Sequence, residues 1–166
     1  MQGTTRTRIA PLVKAALVLG VGLGGFADGI LLHQILQWHQ MLSSVVEPNN
    51  LVAAKYNMMW DGLFHAVTWV TTVVGVAMLF RAVRRPDVIA QSRVLVGGMV
   101  TGWGLFNFVE GLIDHQILGI HHVHPNIDQL AWDVAFLFVG GLGLIGLGVL
   151  LIRGGRDHVH ATAVTH

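Results

Sequence analysis

Four long apolar segments dominate the sequence, and they leave the chain few ways to fold. A bilayer core takes roughly 20 helical residues to cross, and within it each backbone N–H and C=O must be satisfied inside the protein. Segments at about 10–38, 57–80, 93–119 and 129–152 meet that length. The chain is therefore expected to be all-α, an integral membrane four-helix bundle. Composition agrees: 11% of residues are charged and the mean hydropathy is +0.62, against about 25% charged in soluble domains.

The first segment follows Arg6 and Arg8 as a signal peptide would. Its apolar run is too long for one, and no small-residue cleavage site precedes Asp28, so it reads as a retained span. Lys and Arg collect on the cytoplasmic side of a membrane. Arg6, Arg8 and Lys14, the loop "RAVRRPDVIAQSR" with Arg81, Arg84, Arg85 and Arg93, and Arg153 with Arg156 all fall on one side, whereas the other two loops hold only Lys55. Both termini are expected inside, with a membrane domain over 1–152 and a mobile cytoplasmic tail over 153–166 that carries His158, His160 and His166.

Several functions are excluded early. A net charge of +1 offers no basic field for nucleic acid. The absence of cysteine removes disulfides, thiolate metal sites and thiol nucleophiles. "GVGLGG" at 20–25 lies inside a span and reads as helix packing rather than a nucleotide loop, and no serine nucleophile elbow is present.

What remains is an unusual set of polar residues that occurs twice. "DGILLHQILQWH" (Asp28–His39) and "EGLIDHQILGIH" (Glu110–His121) lie 82 residues apart and match at Gly29/Gly111, His33/His115, Gln34/Gln116, Ile35/Ile117, Leu36/Leu118 and His39/His121. Asp28/Glu110 keeps its charge. A weaker echo pairs "WDGLFH" with "WDVAFL", so that Asp61 corresponds to Asp133. The expected architecture is two repeated helical hairpins, about 17–80 and 99–152, related by a pseudo-two-fold axis along the membrane normal.

Depth then gathers the acids and imidazoles. At 1.5 Å of rise per residue, Asp28, His33, Glu110, Asp114 and His115 fall in the outer halves of spans one and three, and Asp61, His65 and Asp133 near the outer ends of spans two and four. Charged side chains in a bilayer cost about 2.5–3.5 kcal/mol each on insertion scales, so these groups should face the bundle interior. At 100° per residue, Asp61 shares a face with His65, Glu110 with Asp114, and each acid with the histidine eleven positions on (His39, His121). His33 and His115 sit about 140° from their acids and are expected to address the neighbouring helix. Gly25 with Gly29 and Gly98 with Gly102, each four apart, allow close helix approach.

A single His or Asp in a span is more often an interhelical hydrogen-bond partner than a ligand. Eight such groups at one depth, drawn from all four helices, instead match the carboxylate and histidine sets with which bundles hold metals. The expected ligands are Asp28, His33, Asp61, His65, Glu110, Asp114, His115 and Asp133, with His39, His121, His122 and His124 as an outer access route. Carboxylate with imidazole suits Zn, Fe or Mn, and imidazole with thioether suits Cu, for which Met41, Met58 and Met59 are nearby. Two alternatives use the same residues: a metal-free proton or ion relay, and a b-type cytochrome with His33 and His115 as axial pair. Trp38, Trp60 and Trp132 read as an aromatic belt, and Asn107 as a group supporting the ligands.

"GLGGFADGILLHQILQWHQML", "WDGLFH" and "FNFVEGLIDHQILGIHHVH" resemble the signature segments of an uncharacterised bacterial family of small four-span predicted membrane proteins, a domain of unknown function. The resemblance covers about residues 17–152 and implies the inner membrane of a bacterium. Some relatives occur with an assembly domain for the copper centre of cytochrome oxidase, which implies metal handling and a respiratory-oxidase assembly component as partner. Neither an enzyme activity nor a catalytic residue follows from it, and a homo-oligomer is compatible with it.

Overall fold

The computed structural model describes residues 8–125 and 128–164, with 158–164 described by backbone alone. Arg6 and the side chains of His158, His160 and His166 lie outside the described residues. Four helices are long and apolar enough to cross a membrane: α1 (Ala10–Ile35), α2 (Leu51–Val83), α3 (Ser92–Ile117) and α4 (Gln129–Asp157). No strand occurs among the described residues.

Local chemistry sets the helix ends. Pro11 occupies the first turn of α1, where its missing N–H costs nothing. The Asn50 carboxamide accepts from the N–H groups of Val52 and Ala53 at 3.0 Å, a cap that starts α2 six residues ahead of the expected boundary at 57. The Gln91 side chain accepts from Val94 N–H at 2.7 Å and starts α3. Helical backbone continues from Leu144 to Val164, so it carries on through the first part of the expected tail.

The packing order is α2, α1, α3, α4, with α1 and α3 against each other and one outer helix on each. Half of the most apolar stretch of α1 is buried and 44% of that of α3, against 11% for α2 and α4, so the two central helices form the core while the outer two present apolar surface to lipid. Glycine makes the central contact possible. A Cβ on Gly20 would fall onto the Met99 carbonyl, and one on Gly102 onto the Leu17 carbonyl. Both members of each pair are 82 apart from their counterparts, so the contact is made twice in the same way. Gly98 meets Ala16, as the spacing of small residues suggested, whereas Gly25 and Gly29 open α1 to α2 at Thr68 and His65.

Two further features recur at that offset. The last turns of α1 and α3 are π-helix, Gly29–Ile35 and Gly111–Ile117. Their exits are alike: Leu36 N–H donates to Leu31 O and Leu118 N–H to Ile113 O, both at 2.8 Å. The chain then turns through left-handed residues, Gln37 (φ 52°) and Gly119 (φ 58°). Glycine suits such a position, and Gln37 is the costlier of the two. The loops that follow fold back over the helix ends and supply the remaining parts of the site.

Candidate metal centre

The π-helical turns decide where His33 and His115 point. Hydrogen bonds from i to i+5 bring residues five apart onto one face, and Asp28 precedes His33 by five positions, as Glu110 precedes His115. The α-helical angle of 140° is therefore overturned: His33 Nε2 lies 3.2 Å from Asp28 Oδ2, and His115 Nε2 lies 3.1 Å from Glu110 Oε1. The other nitrogen of each ring does reach the neighbouring span. His33 Nδ1 is hydrogen-bonded to Asp61 Oδ1 at 3.0 Å, and His115 Nδ1 is 3.4 Å from Asp133 Oδ1.

The loops add a second pair of imidazoles. His39 Nδ1 donates to the Val123 carbonyl at 2.9 Å and His121 Nδ1 to the Met41 carbonyl at 3.0 Å, so each loop histidine hangs from the opposite loop. The same two residues fix the acids of the outer helices, Met41 N–H donating to Asp61 Oδ1 at 2.8 Å and Val123 N–H to Asp133 Oδ1 at 3.0 Å. The His39 and His121 rings stack with centroids 4.7 Å apart and planes 10° from parallel. His33 and His115 stand edge-on to them at 4.6 and 4.8 Å.

Proton bookkeeping follows from these partners. A carbonyl only accepts, so His39 and His121 each carry a proton on Nδ1; a neutral His39 ring then has its lone pair on Nε2, whereas His121 Nε2 is hydrogen-bonded to Glu110 Oε1 at 2.9 Å. Burial, and after it the neighbouring His121 and His33, push the His39 pKa down to about 2, which keeps this ring neutral. All four imidazoles are at most 3% exposed. The Nε2 atoms of His33, His39 and His115 are buried without a hydrogen-bond partner, although carboxylate oxygens stand about 3 Å from two of them. Those contacts have the distance of hydrogen bonds and not their direction.

Buried donor atoms that crowd together, several of them without a hydrogen-bond partner, are what a cation site requires. His33, His39 and His121 present ligand atoms within 4.8 Å of one another, as do Glu110, His115 and His121, and either group could hold a metal ion. The carboxylates Asp28, Asp61, Glu110 and Asp133 are all buried. Among the described residues the ion pairs of arginine lie elsewhere, with Asp87 and Asp157. Compensation for the buried carboxylates must come from protons, imidazolium or a metal.

The structure thus brings together Asp28, His33, Asp61, Glu110, His115 and Asp133 of the expected ligands and leaves two aside. His65 turns Nδ1 to the Asp61 carbonyl at 2.8 Å and packs against Gly29, and Asp114 is half-buried with no side-chain partner among the described contacts. His39 and His121, expected on an access route, are inside the cluster. His122 holds Asp133 Oδ2 at 2.6 Å from a partly exposed position. His124 packs on Trp38 and Trp132, which contact each other edge-on at 5.3 Å, so these tryptophans also wall the site. Met58 and Met59 are exposed, and Asn107 donates to the Gly140 carbonyl in the α4 π-turn at 2.9 Å.

Asn57 was not foreseen. It is fully buried, accepts from Leu42 N–H at 3.1 Å and donates to Val46 O at 2.7 Å, fastening the first loop to α2. Its spacing of four residues before Asp61 was the available signal.

Helix lengths, apolar outer faces and an interior cluster of imidazole and carboxylate define the class: a four-span helical membrane protein with buried candidate metal ligands. The chain belongs to the family described as Predicted membrane protein (DUF2243), which it matches over residues 15–155, from α1 almost to the end of α4. No curated protein and no solved structure matches it.

Proposed function

We propose that this protein binds transition-metal ions within the membrane through His33, His39, His115 and His121 with Asp28 and Glu110, and uses them in metal handling or in metal-dependent chemistry on a small or lipid-soluble substrate. The observation that carries this reading is the orientation of the four rings. Nδ1 of His33, His39 and His121 is hydrogen-bonded to a carboxylate of an outer helix or a carbonyl of the opposite loop, that of His115 lies 3.4 Å from Asp133, and every Nε2 faces the interior, where that of His121 meets Glu110 and the other three have no hydrogen-bond partner. Metal-bound histidines are held in this way, the outer hydrogen bond fixing the tautomer and ring direction.

The donor set suits Zn, Fe or Mn, and Cu with imidazole ligation alone. A cavity of about 770 Å³ between the loops, lined in part by His39, His122, Ser43 and Glu47, provides a polar approach for a hydrated ion. With the arginine-rich segments cytoplasmic, that approach opens on the outer face of a bacterial inner membrane. Against the cytochrome alternative, the stacked His39 and His121 rings stand where a haem between His33 and His115 would lie. The relay alternative draws on the carboxylate contacts of His33 and needs no ion.

Elemental analysis of the detergent-purified chain, with an absorption spectrum of the same sample, tests the proposal. The expected result is bound transition metal without a Soret band. A Soret band would favour the cytochrome, and a chain that takes up no metal under any loading condition would favour the relay.

A further inference from the structure

We infer that the cluster is a two-metal centre, with one ion in each half of the repeat held by one carboxylate and two imidazoles. This rests on the metal-binding reading above and adds number and arrangement to it.

The acid, the span histidine and the loop histidine follow one spacing in both copies, Asp28-x4-His33-x5-His39 and Glu110-x4-His115-x5-His121. In the second half Glu110 Oε1 is 3.1 Å from His115 Nε2 and 2.9 Å from His121 Nε2. Donors bonded at about 2.1 Å to one ion in cis positions are about 3 Å apart, from the ordinary metal–nitrogen and metal–oxygen lengths. In the first half Asp28 Oδ2 and His33 Nε2 are 3.2 Å apart, and the close set of ligand atoms there is His33, His39 and His121, to which Asp28 is joined through His33 and the matched spacing. Two imidazoles with one carboxylate make a facial set that leaves positions open for water or substrate.

The stacked rings argue against a single ion midway between them; the close set His33, His39 and His121 could share one only at the ring edges. An imidazole lone pair lies in the plane of its ring, so an ion bound by two rings must lie close to both planes. The His39 and His121 planes are only 10° from parallel with ring centres 4.7 Å apart. One ion between the rings would sit over their faces, where neither has a lone pair. His121 Nε2 instead reaches the carboxylate of its own half, and the matched spacing assigns His39 to Asp28 and His33. Asp61 and Asp133 then stand behind the span histidines, and the stacked pair forms the seam between the two ions.

The test is a titration of metal-free, detergent-purified full-length protein with Mn2+, repeated with Zn2+, counting bound ions by elemental analysis and recording electron paramagnetic resonance of the Mn2+ samples. Two ions per chain are expected, with an exchange- or dipole-coupled Mn2+ spectrum. Asp28→Asn with His33→Ala, and separately Glu110→Gln with His115→Ala, should each leave one uncoupled ion. Saturation of the wild-type chain at one ion would overturn the pair while leaving metal binding intact, and this readout does not depend on any variant folding. Loss of both ions in either double variant, in protein that retains its helical circular dichroism, would likewise overturn it. A wild-type chain that binds neither Mn2+ nor Zn2+ would overturn the pair along with the metal reading beneath it.

Discussion

At the scale of the residue, the site separates groups that face the interior from groups that hold them there. Asp61 and Asp133 touch the far nitrogens of His33 and His115 and are themselves anchored by the Met41 and Val123 N–H groups. Asp61→Asn or Asp133→Asn should therefore weaken metal affinity by about 10- to 100-fold, the usual cost of removing an outer partner of a ligand histidine, as isothermal titration of the metal would show. His65→Ala should keep full metal content, because its ring is spent on its own helix and on Gly29; depletion to the level of His33→Ala would place it among the ligands. Which residues are polar, and at what depth, was legible in the sequence. Which of two acids or two histidines on one helix turns inward was not, since Asp114 and Glu110 share an α-helical face and only the π-turn separates them.

At the scale of the element, the π-helical ends of α1 and α3 matter most. A rule of 100° per residue put acid and histidine on different faces, whereas i to i+5 hydrogen bonding puts them on one. Nothing in "DGILLH" announces a π-turn, and the apolar "FLFVGGLG" of α4 forms one as well. The glycine contacts, by contrast, were readable from spacing. Gly20→Ala and Gly102→Ala push a methyl group onto backbone carbonyls that cannot give way. Each should destabilise the detergent-solubilised protein by about 1–3 kcal/mol or more, measured as a lowered Tm. Gly62→Ala, whose Cβ would meet nothing within 4 Å, should be neutral or stabilising by up to about 1 kcal/mol, the helix preference of alanine over glycine. Equal losses at Gly20 and Gly62 would contradict this account of the α1–α3 contact.

At the scale of the whole molecule, length and hydropathy were enough to predict four helices and no strands, because a bilayer permits little else. The packing order was not. A bundle with each helix between two neighbours was as compatible with the spans as the observed line of α2, α1, α3 and α4, and glycine content did not decide it, since α4 carries seven glycines against five each on α1 and α3. The proposed orientation, with the arginine-rich segments cytoplasmic, is open to test. Reporter fusions at Asn50 and His158 should give periplasmic and cytoplasmic signals respectively, and the reverse would turn the cavity above His39 toward the cytoplasm. The crossed loops make the two halves one unit, each half holding the other's histidine, so co-expressed residues 1–90 and 91–166 should bind metal only when they associate.

The most direct measurement is X-ray absorption at the K-edge of the metal in the loaded protein. Bound metal should show nitrogen and oxygen neighbours at about 2.0–2.2 Å, outer-shell scattering from imidazole rings, and no sulfur, with the imidazole signal reduced in His39→Ala and His121→Ala. A shell of water oxygens alone, or a spectrum unchanged in both variants, would contradict this ligation.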